Sequence, residues 1–422
     1  MRQVQCRLQY RVSDIDRAVQ AAVPGERHRQ VQCRLQYPVS DSDRCNAGNR
    51  AQHQMGDIHM RIFVTGVNGQ LGHDVINELV RRGHEGVGSG TTTAYSGMQD
   101  GTAVCTAPYV QLDIADSSAV ERVLCSISAT GNTDSMNGAG QPDGPEHNAA
   151  GRETMAGQPD SPERNAAGRE AAAGHLDAVI NCASWTAVDA AEDEANRDRV
   201  HQVNGLGPLY LAKACRQLDI PMMQISTDYV FDGQGDEPFR TGFTDAQPLN
   251  YYGITKREGE LAVASVLDRY YIVRTSWSFG RNGHNFVQTM LNIGRTHERI
   301  SVVDDQTGTP TYTYDLARLL VDMIENEDPA RYGYYHATNE GGYITWYEFA
   351  REIFRQAAEL GHARYAADRL SVVPIQSSEY AAGRAARPHN SRLDKSSLAL
   401  NGFTPLPDWK DALGRYLKEI EI

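Results

Sequence analysis

The chain has 422 residues, 40% of them hydrophobic, with a formal net charge of -13. That length suffices for a large core and two domains, while the acidic balance excludes a broad nucleic-acid-binding face, which needs clustered Lys and Arg. No run of 18 apolar residues offers a membrane span and no apolar h-region follows the N-terminal arginines; the seven scattered cysteines, none in a C-x-x-C pair, argue against a disulfide frame or zinc site and fit a reducing cytoplasm.

Residues 1–59 read as an extension outside the folded part. Val4-Gln5-Cys6-Arg7-Leu8-Gln9-Tyr10 returns as Val31-Gln32-Cys33-Arg34-Leu35-Gln36-Tyr37, with Val-Ser-Asp following both times. Two copies are too few for a solenoid. The segment has no clear apolar period and is expected to be poorly ordered and to take no part in catalysis. Met60-Arg61-Ile62-Phe63 reads like a natural beginning.

Arg61–Thr65 is a short β-branched, apolar run, and Gln70–Arg82 carries Leu71, Val75, Ile76, Leu79 and Val80 at helical spacing. Polar insertions follow at about 89–106 and 128–174. In the longer one Gly140-Gln141-Pro142-Asp143 recurs as Gly157-Gln158-Pro159-Asp160, the mark of a tandem duplication. Compact domains rarely need so long a loop, so both are expected to be disordered surface insertions between core elements. With them set aside, strands at Tyr109–Leu112, Leu176–Asn181, Pro221–Ser226 and Tyr270–Arg274 alternate with helices at about 117–126 and 196–217. Such alternation implies an α/β fold with a Rossmann-like, doubly wound parallel sheet over 60–277. Residues 278–422 are expected to form mainly a smaller substrate-binding domain, with about 312–340 returning to the sheet. Thr345-Trp346-Tyr347-Glu348 reads as a capping box that opens a helix.

The chemistry begins at Gly66-Val67-Asn68-Gly69-Gln70-Leu71-Gly72, between the first strand and the first helix. The first glycine permits the tight bend, the second lets backbone approach a pyrophosphate, and the third lets the helix pack on the strand. This placement predicts a dinucleotide site. The acidic residue that would hold the ribose 2′-hydroxyl of NAD is missing from Gly86-Val87-Gly88-Ser89-Gly90-Thr91, which favours NADPH, with Arg81 or Arg82 as possible partners of its 2′-phosphate. Asp113 and Ile114 are placed near the adenine, and Asn181-Cys182-Ala183 near a cofactor ribose.

Tyr252 and Lys256 share a helix face at i and i+4. A nearby ammonium and the nicotinamide ring are expected to lower the tyrosine's pKa from its free value of about 10 and let it act on a carbonyl oxygen. Thr227, in Ser226-Thr227-Asp228-Tyr229 at a strand end, supplies a hydroxyl to the same oxygen.

The chain resembles the extended short-chain dehydrogenase/reductases, and within them the dTDP-4-dehydrorhamnose reductase family. The likeness rests on Val64–Gly72, Trp185-Thr186-Ala187-Val188-Asp189-Ala190-Ala191-Glu192, Ser226–Gly233, Tyr252–Lys256, Arg274-Thr275-Ser276-Trp277, Asn285-Phe286-Val287, Asp305–Thr311 and Arg387–Asp394. It implies NADPH-dependent reduction, with NADH possible, of dTDP-4-dehydro-6-deoxy-L-mannose to dTDP-L-rhamnose. The catalytic set it implies is Thr227, Tyr252 and Lys256. Gly66, Asn68, Gly69, Gln70, Leu71, Gly72, Asp113, Ile114, Cys182, Ala183 and Ser184 join Tyr252 and Lys256 around the cofactor. Asp228, Tyr229, Trp277, Arg387 and Asn390 are implied to face the dTDP-sugar. Some members place magnesium at a dimer contact; Asp74 and Glu78 are the local candidates, and no metal is expected here. A monomer or homodimer without nucleic-acid or membrane partners completes the expectation. A non-catalytic, NADP-binding regulatory subunit of the same fold and a sugar-nucleotide epimerase stay open as alternatives.

Overall fold

The computed structural model describes residues 59–93, 108–130, 175–243, 247–380 and 385–422. The repeat-containing extension through residue 58 and the insertion residues 94–106 and 131–174 lie outside the described residues.

In chain order the elements are β1 (Arg61–Thr65), α1 (Gln70–Arg81), β2 (Glu85–Gly90), β3 (Tyr109–Gln111), α2 (Ser117–Thr130), β4 (Ala178–Asn181), α3 (Val188–Ala191), α4 (Glu194–His201), α5 (Gly207–Leu218), β5 (Met222–Thr227), α6 (Tyr251–Val266) and β6 (Tyr270–Thr275). Next come β7 (Ser278–Phe279), α7 (Phe286–Thr296), β8 (Arg299–Val303), β9 (Thr307–Gly308), β10 (Thr311–Tyr312), α8 (Thr313–Glu325), β11 (Gly333–His336), β12 (Ile344–Thr345), α9 (Trp346–Glu359), β13 (Ser371–Ile375), α10 (Ser396–Leu400) and α11 (Trp409–Glu419).

Seven strands form one parallel sheet in the order β11-β6-β5-β4-β1-β2-β3. Chain order reverses between β1 and β4, and a crevice opens at the carboxyl ends of such a pair. All five residues of β1 are buried, as a strand covered on both faces requires. α1 buries Val75, Ile76 and Leu79 against the sheet, while Val80 on its outer face is exposed. α8 packs beside α1: Leu316, Leu320 and Ile324 enter the same cluster as Ile62, Val64 and Ile76.

β2 carries no apolar run. No strand is expected from the sequence here, and the insertion is expected to begin at about 89, yet residues 85–90 make a buried strand paired with β1 and β3. The glycines that hide it are what the packing needs. A Cβ on Gly86 would stand 2.6 Å from Cδ1 of Ile76, and one on Gly88 3.2 Å from Cγ2 of Val67. The helix expected over 196–217 is α4 and α5 joined by a π-helical turn at Gln202–Leu206. That turn has a use at the site.

A second core gathers Phe279, Val287, Leu291, Tyr312, Phe349, Ile353, Trp409 and Tyr416 from β7, α7, β10, α9 and α11. The small ladders β7–β10, β9–β12 and β8–β13 bind its strands. The capping box of α9 is complete: Thr345 Oγ1 accepts from Glu348 N at 3.2 Å, and Glu348 Oε2 accepts from Thr345 N at 2.8 Å. Among the described residues no helix is long and apolar enough to cross a membrane.

The approach of α1 to β1 is a sharp test of this packing. A Cβ on Gly72 would lie 2.7 Å from the Gly66 carbonyl carbon and 2.9 Å from Cα of Val67. Both are backbone atoms and cannot swing aside. Gly72→Ala should cost about 1–3 kcal/mol as overpacking, read as a lower urea midpoint at constant m-value; an unchanged midpoint would contradict the contact.

Candidate functional site

A cleft of about 950 Å³ opens at the carboxyl ends of β1, β2, β4, β5 and β6. It brings together Gly66, Asn68, Gly69, Gln70, Leu71, Gly72, Asp113, Ile114, Cys182, Ala183, Ser184, Thr227, Asp228, Tyr229, Tyr252, Lys256 and Trp277. Of the residues expected at the site, Arg387 and Asn390 are not in its lining.

The nucleotide end is shaped by backbone. Gly66 has φ 69°, the left-handed region that glycine adopts freely. A Cβ there would fall 2.7 Å from the Ala183 nitrogen, so β1 and β4 can approach only with glycine at this point. Gly69 caps α1 without a side-chain hydrogen bond, and first-turn N–H groups remain for an anion. Ser89, near the end of β2, lines the cleft, and its buried hydroxyl has no hydrogen-bond partner among the described residues. Thr91 and Thr92 follow. This donor-rich turn without a carboxylate fits a dinucleotide diphosphate and tolerates a 2′-phosphate. Arg81 and Arg82 do not reach it. They sit at the opposite end of α1, where Glu78 pairs with both and Arg82 also binds Asp322 at 2.6 Å and Glu325 at 2.5 Å. Arg199 of α4 lines the cleft instead and meets the Asp113 carboxylate at 2.8 Å.

A chain of buried amides and hydroxyls crosses the strand ends. Thr65 Oγ1 donates to Asn181 Oδ1 at 2.5 Å, Asn181 Nδ2 to Gln224 Oε1 at 2.7 Å, and Gln224 Nε2 to the Ile225 carbonyl at 2.8 Å. The Ala183 amide closes it by donating to Thr65 Oγ1 and Asn181 Oδ1, each at 3.2 Å. Lys256 Nζ donates to the same Ile225 carbonyl at 2.7 Å.

Asn250 caps α6 by accepting from Gly253 N at 2.8 Å, and Tyr252 and Lys256 then project from one face. Tyr252 is buried, edge-on to Tyr229 with ring centroids 5.6 Å apart, and its hydroxyl lies within hydrogen-bonding reach of Thr227 and Ser184. Its pKa is displaced upward, against the expected lowering. Burial is the main cause and the Asp228 carboxylate adds to it; Thr227 and Ser184 only partly offset them. The phenol therefore stays protonated at ordinary pH. Burial brings Lys256 down to about 8, with Glu260 and Cys182 opposing the fall. The Cys182 thiol is pushed up to about 12 by burial and stays protonated.

Thr227 ends β5 and caps the 3-10 turn Asp228–Val230, accepting from Tyr229 N at 3.2 Å and donating to Asp228 Oδ1 at 2.9 Å. Burial raises the Asp228 carboxyl to about 6, partly countered by Ser391 and Thr227. Trp277 has φ 48°, rare for a bulky residue and a mark of a functional constraint. Its ring stacks on Trp346 with centroids 3.7 Å apart, and the face of Gly308 is open enough to receive it.

Asn390 is a correction. It is 1% exposed, and its amide is consumed by the loop beside it: Nδ2 donates to the Gln234 and Glu237 carbonyls, while Oδ1 accepts from Arg392. Arg387 is held by a fork onto Asp189, at 2.9 and 3.1 Å, rather than presented to the cleft. Asp74 and Glu78 are also engaged. Thr313 donates to Asp74 at 2.5 Å, burial raises Asp74 to about 7, and Glu78 binds the two arginines. Among the described residues no group of three or more His, Cys, Asp or Glu is arranged for a metal ion.

Two parts of the site escape the motifs. The π-helical turn delivers Asn204, whose Oδ1 accepts from Ser184 Oγ at 3.0 Å and Trp185 N at 2.9 Å, fixing the loop after β4. The loop after β7 clasps the glycine turn: Asn282 Nδ2 donates to the Asn68 carbonyl at 3.0 Å, and Gln70 Nε2 to the His284 carbonyl at 3.2 Å. An Asn inside a polar helix and an Asn-Gly loop carry no distinctive sequence signal.

The family model for the RmlD substrate binding domain matches residues 139–422. A dTDP-4-dehydrorhamnose reductase of Streptomyces griseus is 45% identical over 240 residues, 56% of this chain and 74% of that protein. The dTDP-4-dehydrorhamnose reductase of Escherichia coli (strain K12) is 37% identical over 247 residues, 58% of this chain and 80% of the other. Among solved structures, a dTDP-4-dehydrorhamnose reductase from Bacillus anthracis in complex with NADP superposes with a TM-score of 0.64 at 30% identity, covering 86% of this chain and all (100%) of that one.

The burial of Asp228 has a pH signature. The folded carboxyl keeps its proton up to about 6, against 3.8 for the ordinary side chain. Its contribution to stability is therefore complete below the lower value and is lost as pH rises through the upper one. Asp228→Asn should stabilise the protein by on the order of 2–3 kcal/mol at pH 8 and have little effect at pH 4. Urea melts at both pH values check this; an equal effect at each would refute it.

Proposed function

The chain belongs to the dTDP-4-dehydrorhamnose reductase family, and we propose that it reduces the 4-keto group of dTDP-4-dehydro-6-deoxy-L-mannose to give dTDP-L-rhamnose, using NADPH and accepting NADH. The observation that carries this reading is the meeting of Thr227, Tyr252 and Lys256 in the same cleft as the uncapped α1 N-terminus.

The glycine turn and the α1 N-terminus hold the cofactor diphosphate, Asp113 and Ile114 border the adenosine, and Cys182, Ala183 and Ser184 border the ribose. NADPH, when bound, supplies a hydride to the carbonyl carbon. The protein's own residues manage the oxygen. Tyr252 gives its phenolic proton to that oxygen as negative charge develops on it. A phenol kept protonated by burial suits a donor. Its conjugate base is stabilised by the Lys256 ammonium one helical turn away and is reprotonated from solvent. Thr227 turns its hydroxyl from Asp228 to the same oxygen. Lys256 also holds the nicotinamide ribose, braced by the Ile225 carbonyl. Asp228, Tyr229 and Trp277 line the sugar's place, and the paired indoles of Trp277 and Trp346 limit water at that wall.

NADPH oxidation, followed by absorbance with the ketosugar as substrate, tests the proposal. Tyr252→Phe should lower kcat by about 10²–10⁴-fold while leaving NADPH affinity nearly intact. A wild-type protein that binds NADPH without turning over the ketosugar would sink the reading. Because Lys256 must be charged, kcat/KM should fall as pH rises through about 8. Lys256→Arg, which keeps its charge, should lose that alkaline limb even with a lower maximum; a limb unchanged in this variant would assign it to another group.

A further inference from the structure

Behind the site, outside the cleft lining, lies an ion pair that the proposed chemistry leaves unused. Glu260 follows Lys256 by one turn of α6, on the same face, and is 0% exposed. Arg274 of β6, 1% exposed, grips it through two parallel bonds, Nε to Oε1 and Nη2 to Oε2, each 2.8 Å. Arg257 adds a third at 2.7 Å. The guanidinium of Arg274 lies between aromatic faces, 4.9 Å from the Phe231 centroid and 4.8 Å from that of Tyr334. Its remaining nitrogen lies 3.4 Å from His336 Nε2.

Burying a carboxylate and a guanidinium costs several kcal/mol per ion, and an apolar pair of similar volume is often as stable. A purely structural account therefore leaves this pair's position unexplained. The charges facing it suggest a reason. Lys256 and Arg257 belong to Glu260's own helix, Arg274 comes from β6, and Tyr334 and His336 come from β11, with Ser226 of β5 on the remaining side. His336 is kept neutral by burial and by Arg274. On the other side of Lys256 stand the neutral Cys182 thiol and the Ile225 carbonyl. Glu260 is thus the anion of a buried row that otherwise holds cations and neutral groups.

We propose that Glu260 is a positioning residue for the reduction, its clamped carboxylate keeping the Lys256 ammonium charged and fixed against the Ile225 carbonyl. Arg274 acts through Glu260: it immobilises the carboxylate and keeps it ionised. Arg274 is also the neighbour of Thr275, the last residue of β6, which lines the cleft together with Ser276 and Trp277. The inference rests on the reductase reading given above.

The test is the pH profile of Glu260→Gln, taken both as kcat/KM and as NADPH affinity. Without the nearby anion, Lys256 should lose its proton earlier, and the alkaline limb should move down by about one pH unit. Activity at pH 8 should then fall about fivefold, with recovery towards pH 6. Glu260→Asp, which keeps the charge, should restore the position of the limb while lowering the maximum. If loss of the carboxylate prevents folding, Glu260→Gln with Arg274→Gln leaves two neutral amides face to face, and its limb should also lie below that of the wild type. A limb coincident with wild type in the folded variant, with activity depressed equally at every pH, would reduce Glu260 to a packing role and overturn the inference. A wild type without turnover would sink the reductase reading alone, since the NADPH-affinity profile still decides the role of Glu260.

Discussion

The hydrogen-bonded chain from Thr65 through Asn181 and Gln224 to the Ile225 carbonyl is the constraint on which the site depends. It crosses three neighbouring strands at the depth where their ladders run out. Buried polar groups of this kind are costly unless satisfied, and these are satisfied by one another. The result is rigid. The Ala183 amide is pinned against the turn that begins at Gly66, and the Ile225 carbonyl is presented to Lys256. Cofactor turn and catalytic lysine are thereby held in one register, although the sequence separates them by almost two hundred residues.

Desolvation then sets the chemistry. The same burial acts in opposite senses on the two central groups, raising the Tyr252 phenol and lowering the Lys256 ammonium. A protonated donor beside a cation that titrates near neutrality is suited to hand a proton to a developing oxyanion. The structure contains counterweights to excessive desolvation. Hydroxyls of Thr227 and Ser184 meet the phenol, and the Glu260 carboxylate stands one turn below the lysine. The residues around the second core contribute to the walls of the cleft. The loop after β7 ties Asn282 and His284 to the glycine turn, and the strained backbone at Trp277 turns an indole into the cleft.

Sequence reasoning recovers what hydrophobic periodicity and short motifs encode. β1, α1, β4 and β5 are legible because their apolar residues recur at the right period, and the glycine turn and the Tyr252–Lys256 pair have fixed spacings. β2 is invisible for a physical reason: Ile76 and Val67 press so closely on it that glycine replaces the β-branched residues that announce a strand. Arg81 and Arg82 look available for phosphate until α8 brings Asp322 and Glu325 alongside. Asn390 looks like a recognition residue, but its amide is spent on backbone carbonyls more than a hundred positions away in sequence. Each of these depends on a long-range neighbour, which no local pattern reports. The upward displacement of the Tyr252 pKa is likewise illegible in the sequence, because the depth of its burial is a property of the assembled fold.

The most direct test of the central claim is isotope transfer. The protein would be given NADPH carrying deuterium at the transferable position together with dTDP-4-dehydro-6-deoxy-L-mannose, and the sugar nucleotide analysed by mass spectrometry and NMR. The account predicts dTDP-L-rhamnose with one deuterium at C4 and stoichiometric formation of NADP. Recovery of unchanged ketosugar from a protein shown to bind NADPH, or a sugar product without the label, would contradict it.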